Sequence, residues 1–87
     1  MKSRMPLTGA QIEELNFSPP DFDCLPEKEA ATAVNLRGCV VYIIEKGGRG
    51  YWYYVEGARG DTLTGYRRVG RDWVARALPV ERIARYY

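Results

Sequence analysis

The side chains best equipped for chemistry in this chain are arginines and aromatics: Arg49, Arg59, Arg67, Arg68 and Arg71 alternate with Trp52, Tyr54 and Tyr66. Arginine offers a rigid, planar fork to anions and stacks on aromatic rings, which lysine does poorly. Tyr, Trp and Arg are the residues that dominate protein interfaces. The same set suits single-stranded nucleic acid, where each base stacked on a ring contributes ~1–3 kcal/mol. This is the chemistry of recognition, not of bond-making.

Catalytic and metal-binding chemistry finds few residues. Histidine is absent, so the usual general base is missing. Cys24 and Cys39 lack an activating neighbour in sequence, and two thiols cannot close a four-ligand zinc site. They read as two buried thiols. Asp21 and Asp23 lie two apart among prolines and read as solvated loop charges. Arg59-Gly60-Asp61 spells an adhesion tripeptide, but a turn between strands accounts for it. No enzyme activity and no cofactor are expected.

The 87 residues suffice for one domain. The longest apolar run, Cys39 to Ile44, is far short of a membrane span, and the N-terminal stretch has no signal-peptide core, which together suggest a cytoplasmic protein. Net charge is +2, unevenly spread. Residues 1–34 sum to −3, whereas residues 35–87 carry ten basic groups against five acidic ones. An acidic arm precedes a basic, aromatic body.

These residues need elements to position them. In the arm, residues 1–35, Thr8 and Gln11 have capping-box spacing, which predicts a short helix from Gly9 to Leu15. Pro19, Pro20 and Pro26 break regular structure, and "EKEAATAV" allows a second short helix. From residue 36 onward the pattern is that of strands: "CVVYIIEK", "YWYYVE", "TLTGYRRV", "DWVARAL" and "IARYY", separated by glycine-containing turns. "PVER" reads as one helical turn before the last of them. The run Tyr51–Tyr54 puts rings on both faces of a strand. Tyr51, Tyr53 and Val55 suit the core, because Glu56 shares the other face with Trp52 and Tyr54, although a one-residue slip would reverse this.

In this order of elements residues 38–87 resemble the SH3-like barrel superfamily. Three strands, a tight hairpin at Val69–Asp72, a fourth strand, a one-turn helix beginning "LP" and a closing strand carry the resemblance. It implies a small five-stranded barrel, mainly β, with an OB-like or other small barrel or roll as the alternative, and Pro79 matches the proline before the family's one-turn helix. Arg82 stands where its peptide-binding members have tyrosine, and their aromatic and acidic first loop has no counterpart. Glu81-Arg82-Ile83 is also similar to the ending of plasmid-borne type II dihydrofolate reductase. That family's catalytic stretch is missing from "WVARALP", so no activity is implied.

The expected function is therefore that of a non-catalytic interaction module. A protein partner or a second copy would bind through Arg49, Trp52, Tyr54, Arg59, Tyr66, Arg67, Arg68 and Arg71. Single-stranded RNA or DNA binding through the same surface is the alternative; against it, the pI of 8.6 lies below the ~9 usual for basic domains. A membrane partner is not expected. A third expectation concerns the chain itself: the arm, through Phe17, Phe22 and Pro19-Pro20, can cover the outward rings.

Overall fold

The computed structural model describes residues 18–22 and 28–87. The helix expected from Gly9 to Leu15, together with Phe17, Asp23 and Cys24, lies outside them. Five strands follow in order: β1 (Val40–Glu45), β2 (Gly50–Arg59), β3 (Thr62–Val69), β4 (Asp72–Pro79) and β5 (Ile83–Tyr86). A 3-10 helix, η1 (Ala30–Asn35), precedes them, and a second, η2 (Val80–Arg82), joins β4 to β5. The second arm helix thus falls a little later than "EKEAATAV" and is wound as 3-10. Among the described residues, no helix is long and apolar enough to cross a membrane.

The strands form one antiparallel sheet in the order β4-β3-β2-β1-β5. Two-residue turns join β2 to β3 and β3 to β4, closed by the pairs Arg59↔Thr62 and Val69↔Asp72. Gly60 and Gly70 open these turns at φ 60° and 59°, the left-handed geometry that tight hairpins need and that glycine adopts freely. Alternation along the strands sends Val41, Ile43, Tyr51, Tyr53, Val55, Leu63 and Leu78 to one face. Ala33 of η1 and Ile83 and Tyr86 of β5 complete this core, with Ala30, Val34, Leu36 and Val80 packed against it. The last part of the arm is therefore integral to the folded body.

A bulge in β2 between Val55 and Gly57 bends the sheet over this core. Opposite the bend sits Gly65, where a Cβ would collide with the Tyr54 carbonyl oxygen. Only a residue without a side chain lets β2 and β3 approach so closely.

The sheet does not close into a barrel, contrary to the expectation from strand order. β4 and β5 are its two edges and share no ladder. The reason lies on the far side of β5, where Lys28 occupies the position a closing strand would take. Its N–H donates to the Tyr86 carbonyl at 2.9 Å, and the Tyr86 N–H donates back at 3.2 Å. The Thr32 and Tyr86 hydroxyls, 2.6 Å apart, hold η1 to the same strand. A second correction concerns Cys39. Expected as a buried thiol, it is free and exposed just before β1, with its backbone bonded to Val55 and Leu36.

Candidate functional interface

The outer face of the sheet carries the aromatics that the core does not use. β1 presents Tyr42, paired with Trp52 on β2, and Tyr54 is paired with Tyr66 on β3. Farther out, Arg68 of β3 is paired with Trp73 of β4. The Tyr42 and Trp52 rings meet edge to face, 5.3 Å apart at 78°, the arrangement that ring quadrupoles favour. Tyr54 and Tyr66 lie 6.3 Å apart at 41°. The Arg68 guanidinium sits 5.6 Å over the Trp73 ring, and its Nε donates to the Gly70 carbonyl at 2.8 Å. A rim cation is thereby fixed to both a hairpin and an indole.

The arm covers one end of this face. The Trp52 Nε1 donates to the Ser18 carbonyl at 2.8 Å. Phe22 lies between Tyr42 and Tyr87, at 5.8 and 4.6 Å, while remaining 43% exposed. At the other end, beside Tyr66, the side chains of Thr64, Ala75 and Ala77 are small. They leave a shallow hollow of about 350 Å³ bordered by Glu56.

The expected site residues are only partly brought together. Trp52, Tyr54, Tyr66 and Arg68 share the outer face; Trp52 and Tyr54 are half-buried there and Tyr66 is 9% exposed. Arg67 is on the opposite face. It is paired with Tyr53 and stacks 4.3 Å from the Tyr51 ring centroid. Arg49 and Arg71 are exposed in the β1–β2 and β3–β4 turns, which lie at one end of the sheet, and Arg59 is exposed at the other. Tyr42 belongs to the outer face but was hidden within an apolar run; its partner Trp52 is the signal that points to it.

The inner face also has a polar end. The Tyr51 hydroxyl donates to the Glu45 carboxylate at 2.6 Å, and the Tyr53 hydroxyl donates to the Arg76 carbonyl at 2.6 Å. Burial first, and then the Glu45 carboxylate, push the Tyr51 hydroxyl far above the ordinary phenol value. Burial does the same to Tyr53, with Glu56 adding to it. Both hydroxyls are held as donors. Among the described residues no three of His, Cys, Asp and Glu gather as a metal site would require. In comparisons with models of known protein families, with curated proteins and with solved structures, the chain has no match.

Proposed function

We propose that this chain is a non-catalytic interaction module whose outer sheet face binds a protein partner or a second copy of the chain. The carrying observation is the Tyr54–Tyr66 pair beside the hollow over Thr64, Ala75 and Ala77. Amphipathic rings next to a depression of small side chains suit an inserted apolar side chain, the usual build of an interface hot spot. The ring faces favour this over base stacking. Arg68 lies over Trp73, and Tyr42 and Trp52 pack against each other and the arm. The strand order, with a one-turn helix between β4 and β5, supports placing the fold with SH3-like domains, as an opened variant.

The test is capture from source lysate with and without nuclease, together with sedimentation of the purified chain. Ala75→Glu, at an exposed position of the hollow, is expected to abolish capture or self-association while leaving the circular dichroism unchanged. A monomer that retains nothing removes the reading. Single-stranded nucleic acid is the second reading, favoured by Arg49 and Arg71 at one end of the sheet. It requires capture to be lost with nuclease and affinity to fall steeply with salt.

A further inference from the structure

At the Tyr51 end of the core, on the face opposite the proposed interface, lies a cavity of about 140 Å³. Glu45, Tyr51, Tyr53, Arg67, Arg76 and Arg82 line it. Three arginines and one carboxylate share the lining; that carboxylate already accepts the Tyr51 hydroxyl, and the Arg76 guanidinium donates to the Ala75 carbonyl at 3.1 Å. Arg67 stands on the inner face of β3, where alternation calls for an apolar residue. Its Nε is removed from solvent and has no hydrogen-bond partner among the described residues. The guanidinium of this half-buried residue stacks on the Tyr51 ring, which leaves the Nε–H as a donor able to take an acceptor in the cavity.

The surrounding groups indicate what that acceptor is. Arg67, Arg76 and Arg82 come from β3, β4 and η2, three separate elements. The Tyr53 hydroxyl fixes the β4 backbone through the Arg76 carbonyl, and the Lys46 N–H fixes the end of η2 through the Arg82 carbonyl at 2.9 Å. Cations carried on several sides by fixed backbone match a tetrahedral oxyanion better than a planar carboxylate. Three positive charges against one negative charge leave an excess that suits a dianion. The volume admits a phosphoryl group and excludes a nucleotide. We propose that this cavity binds a phosphate-class dianion, either free phosphate or the phosphoryl end of a small monoester, independently of the outer-face interface.

The experiment is a titration of the full chain with sodium phosphate at fixed ionic strength, followed by ¹H–¹⁵N spectra of the Arg67 Nε–H and the Arg76–Leu78 amides. Saturable shifts confined to these signals are expected, and acetate is expected to give none. Arg82→Gln, at an exposed position, weakens phosphate binding roughly tenfold by removing charged hydrogen bonds. Glu45→Gln tightens it severalfold by removing the opposing charge. Phosphoserine as a second titrant separates the two sources: binding as tight as phosphate supports the monoester, and no binding supports the free ion. Shifts that rise linearly without saturating overturn the proposal, as does saturation that both variants leave unchanged.

Discussion

Among the described residues Tyr53 is the most completely buried ring, and its hydroxyl is the polar anchor of the β4 edge. Tyr53→Phe leaves the shape of the core intact but orphans the Arg76 carbonyl. A loss of ~1–3 kcal/mol is expected in urea unfolding. Tyr51 and Tyr53 also set an alkaline limit. In the unfolded chain they ionise near 10.0, the ordinary value of a phenol, whereas in the folded chain burial holds them protonated well beyond it. Above pH ~10 the unfolded state therefore releases protons that the folded state retains, and stability falls as pH rises. Below that pH the contribution is fully present. Urea midpoints that stay flat from neutral pH to well above 10.0 would contradict this. At this scale the inward set Tyr51, Tyr53 and Val55 was readable, because Glu56 had no place in a core. Arg67 was readable in principle: if Tyr66 faces outward, the next residue on the strand faces inward. Grouping Arg67 with Arg68 by adjacency conflicts with that alternation.

At the scale of elements, the decisive contact is between the β2 bulge and Gly65. Gly65→Ala places a methyl group against the Tyr54 carbonyl, which is backbone and has nowhere to go. A destabilisation of roughly 3 kcal/mol or more is expected, read as a large drop in melting temperature. Ala77→Ser, at an exposed position on the same sheet, is the matched control and is expected to stay within about 0.5 kcal/mol of the parent. The hairpins were legible from their glycines, because Gly70-Arg71 is too short for any connection but a tight turn. The bulge was not. It depends on which residue of β3 meets Val55, and register is a property of the pair of strands. The failure to close was equally hidden, since it depends on Lys28, fifty-eight positions from Tyr86, reaching β5 before β4 does.

For the molecule as a whole, residues 18–22 lie against the outer face of the sheet, where the Ser18 carbonyl and the Phe22 ring make contact with Trp52, Tyr42 and Tyr87. Trp52→Phe removes the N–H that holds Ser18, and Phe22→Ala removes the ring between Tyr42 and Tyr87. Both variants are expected to be cut faster by protease near residues 18–22, with the sheet surviving as a resistant fragment. Equal cleavage rates would mean that these contacts do not hold the segment down.

The reciprocal bonds between Lys28 and Tyr86 join stretches that the β1–β4 meander separates. The β1–β5 ladder already brings Tyr86 beside Ile43, so this clasp closes only the stretch from Lys28 to β1, at roughly 2–3 kcal/mol by the logarithmic law. As an isolated bridge at the edge of the sheet, it is the pairing expected to open ahead of the ladders. Amide protons at Tyr86 should exchange with solvent well ahead of those at Tyr53, and the thread drawn out first would uncover β5 as a second bare margin, open to pairing with another chain.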